Sequence, residues 1–364
     1  MNKVLSGILK TTGIVLLTLI ALLLLLILGL TIFEYRPAAI ADAEIFSSNN
    51  NADSISTKTK TKILTWNIGY GALGKTEDFF MDGGKRVRPK NKKIVKNYTD
   101  NICETIQTVN ADINFIQEVD QKAHRSYKIN QIEQISQTIQ KQAAYTHNFN
   151  CLFCPIPFPP IGQVKSGVAI FTNYKTTSAQ RYTLPSPFKW PVRIANLKRC
   201  MLVTRLPVVE NNKETGKELV LVNFHLEAFD DGEGKKAQTK VLVDFLNTEY
   251  QKGNYIIAGG DFNQRFPNDK GKYPVVWPDG WQPGQLDNSI LPEGFSFAID
   301  DSAPTCRSVE FPYTNEYAKA HNWQYYVIDG FIVSPNISCN NVHVLDKDFE
   351  NADHNPVLME FILN

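Results

Sequence analysis

Residues 255–263 have the sequence YIIAGGDFN, an apolar run that ends on Asp261 and Asn263. Short apolar runs that end in polar or glycine-rich stretches are typical of buried β-strands. The run therefore predicts a strand over 255–262 with polar groups at its end. Comparable runs predict further strands at 62–68, 113–119, 167–172, 200–206, 218–226, 326–333 and 356–361.

Helices are fewer than strands in this sequence. Apolar residues recur every four positions within 92–109, which predicts an amphipathic helix. Apolar clusters predict two more helices near 132–139 and 241–246. Because strands predominate and their connections are irregular, we predict an α/β (α+β) fold: a four-layered sandwich of two packed mixed β-sheets flanked by helices.

The size and charge of the chain limit its class. It has 364 residues, of which 43% are hydrophobic, and a formal net charge of +1. This composition excludes disordered, collagen-like and coiled-coil proteins. The near-zero charge argues against binding of nucleic acid by bulk electrostatics, but a reaction at a phosphate needs only a local positive site. No repeat or second linker interrupts 63–364, so we predict one domain there.

The N-terminal region contains a candidate membrane segment. Residues 13–33 carry no charge, and a helix of this length spans about 30 Å, the thickness of the hydrocarbon core. Lys3 and Lys10 precede it, which predicts a short cytoplasmic N-terminus over 1–12 and an extracytoplasmic body. A secretory signal cleaved near Ala41 is the alternative interpretation.

The segment after the apolar stretch is polar. Residues 34–62 contain many small and polar side chains and no hydrophobic periodicity. This composition predicts a flexible linker that holds the domain a short distance from the membrane.

Six cysteines are present, and two of them form a single C-x-x-C at Cys151 and Cys154. Without a second pair or a histidine at zinc spacing, this motif is weak support for a metal site. A disulfide between the two, or with a distant cysteine, stays open for an exported domain. Cys103 and Cys200 are predicted to be buried thiols.

Polar side chains follow several of the predicted strands. Each of them alone is more often a helix cap or a turn residue than a ligand. As a set, acidic and amide groups that end buried strands would be desolvated and mutually repelling unless a cation neutralised them. These residues are Asn67, Glu118, His225, Asp261, Asn263, Asp329, Asp353 and His354.

The strings that contain these residues resemble a known superfamily. In chain order they are LTWNIG, FIQEVD, VNFHLEAF, AGGDFNQ, VIDGFIV and ADHNPV. Their order is similar to that of the endonuclease/exonuclease/phosphatase superfamily, the metal-dependent phosphodiesterases related to DNase I, here as a membrane-anchored, bacterial-type member. The combination of G-D-F-N with a terminal D-H-x-P is the specific part of the resemblance.

The resemblance implies a metal site and a base. Glu118 would be the principal metal ligand, supported by Asn67 and Asp353. Oxygen ligands of this kind suit Mg²⁺, with Mn²⁺ or Ca²⁺ as substitutes. Asp261 would deprotonate the attacking water, and Asn263 would steady the water or a phosphate oxygen.

The resemblance also implies groups that contact the phosphate. His354 would donate to a non-bridging oxygen, with Asp329 holding it charged. His225 would be a second phosphate-contacting or proton-donating group. The implied reaction is in-line attack of water on a phosphoester without a covalent intermediate, and a non-catalytic domain that binds an anionic ligand is the alternative.

The substrate is not assigned by these motifs. Lys85, Arg86 and Arg88 belong to a basic cluster after Asn67 that either grips an anionic substrate or is a solvated surface. Arg199 is a further candidate phosphate contact, and the apolar, proline-rich stretch 149–160 is a candidate lipid contact. A lipid headgroup is favoured by the predicted anchor, a nucleic acid is the alternative, and no obligate protein partner is expected.

Overall fold

Strands make up most of the regular structure outside the N-terminal helix. The computed structural model describes residues 2–46, 52–267 and 271–364. The α-helices in this part of the chain are α1 (Asn2–Ile32), α2 (Lys92–Val109), α3 (Gln131–Ile139), α4 (Glu233–Gln251) and α5 (Glu316–Ala320). The strands are β1 (Ile40–Asp42), β2 (Glu44–Phe46), β3 (Ile55–Ser56), β4 (Thr61–Asn67), β5 (Ile113–Asp120), β6 (Gln142–Cys154), β7 (Gly162–Thr172), β8 (Ser178–Thr183), β9 (Cys200–Glu210), β10 (Lys213–His225), β11 (Tyr255–Asp261), β12 (Gln264–Arg265), β13 (Gly284–Gln285), β14 (Ser296–Ala298), β15 (Cys306–Arg307), β16 (Tyr325–Tyr326), β17 (Asp329–Val333), β18 (Ile337–Val344) and β19 (Val357–Leu363).

Two large sheets form the centre of the molecule. The larger sheet has the strand order β1-β8-β9-β10-β11-β17-β14, and β3 pairs with β9. The smaller sheet has the order β18-β19-β4-β5-β7-β6-β2. β10 runs parallel to β11 and β4 runs parallel to β5, whereas most other neighbours are antiparallel. Both sheets are therefore mixed, as predicted.

The sheets pack face to face, and helices cover their outer faces. Phe115 and Ile170 of the smaller sheet share one buried core with Leu221, Ile257 and Phe331 of the larger sheet. On the outer faces, α2 and α3 pack on the smaller sheet and α4 packs on the larger sheet. Each layer thus buries its apolar face against the next. The predicted four-layered sandwich is confirmed.

The predicted elements match the observed ones closely. The predicted strands correspond to β4, β5, β7, β9, β10, β11, β17 and β19, and the predicted helices correspond to α2, α3 and α4. The side chain of Asn91 accepts a hydrogen bond from the Ile94 N–H at the start of α2. Asn110 adopts a left-handed conformation where α2 ends, which asparagine tolerates well. The helix therefore has the local signals for both of its ends.

The cysteines are free thiols. Cys103, Cys151, Cys154 and Cys200 are all buried, and Cys339 is partly buried. The disulfide considered for Cys151 and Cys154 is not formed. The prediction of buried thiols at Cys103 and Cys200 is confirmed.

The N-terminal helix is longer than predicted. α1 already begins at Asn2, so most of the stretch 1–12 predicted as a short N-terminus is helical. By length and composition, Val4–Ile32 is long and apolar enough to cross a membrane. Lys10 does not end the helix because lysine is a good helix former.

The predicted flexible linker over 34–62 needs a correction, because parts of it are strands of the two sheets. In the larger sheet, Ile40 of β1 pairs opposite Tyr182 of β8, and β3 pairs with β9. In the smaller sheet, Ile45 of β2 pairs opposite Ala144 of β6. Strands of two or three residues are too short to show a periodicity, so the sequence pattern does not reveal them. Residues 47–51 lie outside the described residues, and the strands on either side of them belong to the folded domain.

His147 of β6 lies beside this N-terminal segment. Its ring centroid is 6.4 Å from that of Tyr35, and its side chain is 12% exposed. Burial, followed by the charges of Lys165 and Arg181, lowers the pKa of His147 to about 4. A histidine with a depressed pKa in the folded state takes up its proton more readily in the unfolded state. The stability that its neutral form provides is therefore lost as the pH falls from its usual pKa towards 4.

We expect the free energy of unfolding to fall by up to about 3 kcal/mol between pH 6.5 and pH 4 through this group. Thermal unfolding of the wild type and of His147→Gln in detergent across this pH range measures the loss as the difference between the two proteins, because buried groups such as His225 and Asp261 titrate in both. His147→Gln, which keeps a polar side chain near Gln121, should remove most of this pH dependence. An identical pH dependence in the variant and the wild type would contradict the prediction.

Candidate active site

The ends of several strands meet at one edge of the sandwich and bring the predicted polar groups together. Parallel pairing places Asn67, the last residue of β4, opposite Gln117 of β5, which directly precedes Glu118. In the other sheet, parallel pairing places His225 opposite Asp261 at the ends of β10 and β11. The antiparallel strand β17 begins at Asp329, which pairs opposite Asp261. The site therefore spans both sheets.

The remaining two residues of the predicted site lie just before the last strand. Asp353 and His354 precede β19, whose first residue, Val357, pairs opposite Thr65 of β4. Antiparallel pairing therefore puts the start of β19 beside the end of β4. The indole Nε1 of Trp66 donates to the His354 carbonyl oxygen at 2.8 Å and holds the segment in place.

The Asn67 side chain connects the groups of the two sheets. Its Nδ2 donates to Glu118 Oε1 at 3.2 Å and to Asp261 Oδ2 at 3.0 Å. The same nitrogen is 3.5 Å from His354 Nε2. Its Oδ1 accepts the Gly69 N–H at 3.0 Å, which orients the amide. Asn67 thus joins a carboxylate of the smaller sheet to one of the larger sheet.

Glu118 owes its position to an irregularity in β5. The register between β5 and β7 shifts between Ile116 and Val119, which indicates a bulge. Glu118 has a φ of 55°, a left-handed conformation that is uncommon for this residue type. Bulges redirect side chains and are frequent beside active sites. Its side chain is 21% exposed and therefore accessible to a ligand.

Asp261 lies at the centre of the cluster. The backbone N–H of Asn263 donates to Asp261 Oδ1 at 2.8 Å, and Asn263 Nδ2 donates to the Leu226 carbonyl oxygen at 2.9 Å. Burial, followed by the negative charge of Asp329, raises the pKa of Asp261 to about 7. A carboxylate with a pKa near neutrality can both accept and release a proton under ordinary conditions.

His354 and Asp329 form a buried pair. His354 Nδ1 lies 2.8 Å from Asp329 Oδ2, and His354 Nε2 lies 3.8 Å from Asp261 Oδ2. Burial alone would lower the pKa of His354, but the Asp329 carboxylate raises it well above its usual value. The imidazole is therefore held as a cation whose second nitrogen faces the cluster.

His225 has the opposite protonation. Burial, followed by the positive charge of Arg199, holds the pKa of His225 well below its usual range. Its Nε2 is 3.4 Å from Asp261 Oδ2 and its Nδ1 is 3.7 Å from Glu118 Oε1. Arg199 Nη1 donates to the His225 carbonyl oxygen at 3.3 Å, and Arg199 Nε lies 3.6 Å from Glu227 Oε2. A neutral imidazole and a guanidinium thus lie side by side.

The polar groups have the chemistry and the arrangement to hold a divalent cation. Asp353 Oδ1 is buried and has no hydrogen-bond partner within the described residues. Burial raises the pKa of Asp353 to about 6; the charge of His354 opposes this rise and that of Glu118 adds to it. A cation held by Glu118 and Asp353, with Asn67 nearby, would satisfy the orphan oxygen and relieve the repulsion.

A second group of ligand atoms lies in the same cluster. Asp261, Asp329 and His354 place one ligand atom each within 4.8 Å of one another. However, the short contact between His354 Nδ1 and Asp329 Oδ2 already pairs these two residues. The group is therefore better explained as an ion pair beside Asp261, and the Glu118 and Asp353 carboxylates are the better candidates to hold a cation.

Two amides beneath the site connect the sheets. Gln117 Nε2 donates to Asn223 Oδ1 at 2.7 Å, and Asn223 Nδ2 donates to the Ala169 carbonyl oxygen at 2.7 Å. Both amides are fully buried. Since buried amides need fixed partners, this contact sets the relative position of β5 and β10 below Glu118 and His225.

The basic cluster at Lys85, Arg86 and Arg88 needs a correction, because the structure does not bring it to the cavity at the site. Arg86 Nη1 is 2.8 Å from Glu77 Oε2. The Arg88 guanidinium lies 5.5 Å from the centre of the Tyr127 ring. Lys85 is exposed. Arg86 is thus paired within its own loop and Arg88 lies over Tyr127, and none of the three cations lines the cavity.

The same loop contributes a carboxylate to the cavity. Asp82, in the 3₁₀ turn Phe80–Asp82, lines the cavity together with apolar neighbours. Burial and the negative charge of Asp353 raise the pKa of Asp82 to about 7. The insertion after Asn67 thus brings apolar and acidic groups to the site, and its cations stay outside.

Two arginines that line the site were not predicted from the sequence. Arg125 and Arg307 line the cavity. The Arg125 guanidinium lies 3.6 Å from the centre of the Tyr70 ring and pairs with Asp120 at 3.0 Å. Arg307 Nη2 donates to the Leu73 carbonyl oxygen at 3.0 Å. No motif surrounds either arginine, and only the fold brings them to the site.

The cavity above the cluster has a polar floor and an apolar rim. Its volume is about 360 Å³. The floor contains Asn67, Glu118, His225, Asp261, Asp353 and His354. The rim contains Phe79, Phe80, Met81, Phe188, Phe229 and Trp281. Such a cavity suits a ligand that has a charged group and an apolar part.

The sequence profile of the endonuclease/exonuclease/phosphatase family matches residues 64–296, which is more than half of the chain. The chain belongs to this family. Endonuclease/exonuclease/phosphatase proteins are metal-dependent phosphoester hydrolases, and this member is such an enzyme. No curated protein matches the chain by sequence.

Solved structures are similar to this family member in fold. An endonuclease/exonuclease/phosphatase from Beutenbergia cavernae is 14% identical with a TM-score of 0.56, over 84% of this chain and 72% of that chain. One from Bacteroides vulgatus is 16% identical with a TM-score of 0.52, over 84% and 100%. The human Nocturnin catalytic domain with bound sulfate is 13% identical with a TM-score of 0.51, over 88% and 97%. These similarities support the fold.

Proposed function

We propose that this enzyme is a membrane-anchored, Mg²⁺-dependent phosphodiesterase that acts on a lipid headgroup. The contact of Asn67 with both Glu118 and Asp261 carries the hydrolytic part of the proposal, because it joins a candidate metal ligand to a candidate base. The length and composition of α1 support the anchor. The apolar rim of the cavity supports a substrate with an apolar part.

In this proposal, Glu118 and Asp353 hold the cation, and Asn67 would join them through Oδ1, the amide oxygen that also accepts the Gly69 N–H. Carboxylate and amide oxygens are the ligands that Mg²⁺ prefers, and Mn²⁺ or Ca²⁺ would be substitutes. When bound, the cation supplies Lewis-acid stabilisation of the negative charge that develops on the phosphate and leaving oxygens.

Asp261 is the proposed base. Its carboxylate accepts a proton from the water that attacks phosphorus in line with the leaving oxygen, which inverts the phosphorus centre. The Asn263 N–H holds Oδ1, and the Asn67 amide contacts Oδ2, so both oxygens are oriented. The raised pKa of Asp261 makes it a stronger base than an ordinary aspartate.

His354 is the proposed donor to a non-bridging phosphate oxygen. Asp329 keeps the imidazole charged and fixes its orientation. A fixed cation at this position stabilises the charge added in the transition state. The neutral His225 donates a hydrogen bond to the phosphate in this arrangement, and Arg199 beside it contributes a positive field.

The proposed location is a membrane, with a single span. Lys3 and Lys10 precede the charge-free stretch, so the N-terminus is placed in the cytoplasm and the catalytic domain outside it. Secretion after cleavage near Ala41 is the alternative. Because Ala41 lies within β1, the folded protein holds this site in a sheet.

Hydrolysis of a nucleic acid is the second candidate function. A TDP2 structure from Danio rerio, complexed with a single-strand DNA product, is 12% identical to this chain with a TM-score of 0.51 and coverage of 84% and 99%. The bound DNA is an observation on that protein, and it is the reason to include nucleic acids when candidate substrates are tested on this enzyme. The panel contains sphingomyelin, phosphoinositides, DNA and RNA.

A metal titration tests the proposed function. The full chain in detergent should hydrolyse bis(4-nitrophenyl) phosphate with added Mg²⁺ and lose this activity with a chelator. Glu118→Gln should raise the Mg²⁺ concentration needed for half-maximal rate by at least about tenfold, because it removes a charged ligand.

Glu104→Gln is the matched control, because Glu104 is exposed on α2 and does not line the cavity at the site. It should leave the Mg²⁺ requirement unchanged. Wild-type hydrolysis that persists in chelator, or equal Mg²⁺ curves for the two variants, would contradict the proposal.

A further inference from the structure

Two surface segments beside the end of α1 expose large apolar side chains. The first is the tip of the hairpin between β6 and β7, where Ile156 is 76% exposed and Phe158 is 96% exposed. The second surrounds the 3₁₀ turn Val192–Ala195, where Trp190 is 56% exposed and Val192 is 60% exposed. These four residues are called the apolar platform.

The two segments of the platform contact each other. Cys154 Sγ, at the end of β6, lies 3.8 Å from the Ala195 carbonyl oxygen. The Lys198 N–H donates to the Asn148 carbonyl oxygen at 2.6 Å. Ala195 and Leu197 also pack against the buried side chains of the hairpin. The two segments that carry the platform residues therefore pack against each other.

The platform is joined to the C-terminal end of α1. Trp190 Nε1 donates to Thr31 Oγ1, one residue before α1 ends, at 3.1 Å. Just beyond the helix, Glu34 Oε1 lies 3.3 Å from Arg193 Nε and 3.2 Å from Lys198 Nζ. The Glu34 side chain is only 1% exposed. These contacts place the platform where a membrane-spanning α1 would leave the hydrocarbon core.

We propose that the apolar platform contacts the interfacial region of the bilayer that α1 crosses, and this inference rests on the proposed membrane anchor. Exposed apolar clusters of this kind mark surfaces that are covered by a partner. Tryptophan is enriched at membrane interfaces, and Trp190 contacts the end of the apolar helix. The exposed Lys189 adjoins Trp190 in the chain and suits anionic headgroups. A bilayer is therefore the occupant that matches both the chemistry and the position.

The platform also borders the opening of the catalytic cavity. Ile156 lines this cavity and is at the same time largely exposed, so it lies at the rim. Phe188, two residues before Trp190, lines the cavity as well. A cavity that opens beside the bilayer admits a phosphodiester from a membrane amphiphile whose apolar part stays near the leaflet. The substrate class of the enzyme is therefore a bilayer-resident phosphodiester.

Fluorescence quenching in vesicles tests the platform. The full chain with Phe158→Cys is labelled with a nitrobenzoxadiazole fluorophore and reconstituted in vesicles of phosphatidylcholine and phosphatidylglycerol that contain nitroxide-labelled phosphatidylcholine. The label should lose most of its fluorescence to the nitroxide lipid. Phe158 is almost fully exposed, so the substitution leaves the core intact. The unsubstituted chain, whose cysteines are buried or partly buried, gives the background.

His343→Cys is the matched control. His343 is exposed on β18, which lies at the opposite edge of the smaller sheet from β2 and β6. After labelling, both variants carry the same fluorophore on the same anchored chain, and only its position differs. The label at 343 should keep its fluorescence. Equal quenching at both positions, or none at 158, would overturn the inference; a label at 158 that is shielded from water without nitroxide quenching would overturn it in favour of a protein partner.

Hydrolysis of the soluble bis(4-nitrophenyl) phosphate by the same preparation separates this inference from the proposed function. Hydrolysis without quenching at 158 overturns the platform and leaves the phosphodiesterase intact. Quenching at 158 without hydrolysis overturns the phosphodiesterase and leaves the membrane contact intact.

Discussion

Asp261→Asn should lower kcat/KM for bis(4-nitrophenyl) phosphate by about 10³-fold or more at saturating Mg²⁺. The substitution keeps the size of the side chain and a hydrogen-bonding oxygen for the Asn263 N–H, but the amide cannot accept a proton from water. General-base catalysis by a positioned side chain contributes about 10²–10⁴-fold. Loss of the buried charge beside Asn67 adds to this effect.

Stability measurements separate a catalytic loss from unfolding. Because burial raises the pKa of Asp261 to about 7, its charged form costs folding free energy above that pH. The neutral amide that replaces this carboxylate in the variant removes the cost, so the thermal midpoint at pH 8 should not fall. Asp244→Asn, on the exposed face of α4, is the matched control and should change neither activity nor midpoint. A variant Asp261→Asn with near wild-type kcat/KM would contradict the assignment of the base.

His354→Gln should lower kcat/KM by about 10²–10³-fold. The glutamine amide can still donate a hydrogen bond, but it carries no positive charge. Removing one group that stabilises developing negative charge typically costs this much. His321→Gln, on the exposed end of α5, is the matched control and should retain full activity.

Asp329→Asn tests whether the charge of His354 matters. The Asp329 carboxylate raises the pKa of His354, so the wild-type imidazole stays protonated until the pH rises well above 6.5. Removing the carboxylate lowers this pKa, and the variant should lose activity with rising pH earlier than the wild type. Identical pH profiles for wild type and variant would show that Asp329 only packs against the ring.

The fold was predictable where strands are fully buried. A run such as 255–262 is almost continuously apolar because both faces of its strand lie inside the sandwich. The polar residue that ends such a run is then placed at the sheet edge, as Asp261 is. Chain order and strand ends therefore indicated the polar strand-end residues of the candidate site, whereas Asp82, Arg125 and Arg307 of the same cavity were not predicted.

Local charge was a poor guide to the rest of the site. A sequence shows that Arg86 is positive, but not that Glu77 and Asp78 would neutralise it after the loop folds. Conversely, Arg125 has no motif, and its place above Tyr70 depends on the loop after β5. Whether a charged side chain is neutralised by a neighbour depends on the tertiary structure, so the sequence pattern alone does not predict it.

Short edge strands were also beyond prediction. β1 and β2 have three residues each, and the energy that holds them comes from the strands they meet. The segment around them, 34–62, is rich in small and polar residues, which favours a linker when considered alone. Pairing with β8 and β6 overrides that preference.

If the proposed anchor is correct, β1 has a consequence for any form of the enzyme that is released by cleavage near Ala41. Ala41 pairs opposite Arg181, so a cut at this position would divide β1 and uncover the outer side of β8. Unpaired backbone groups on an edge strand are a template for another chain. The segment that connects the body to α1 therefore also protects it against self-association. A shed catalytic domain would be expected to aggregate through the newly opened edge of its larger sheet.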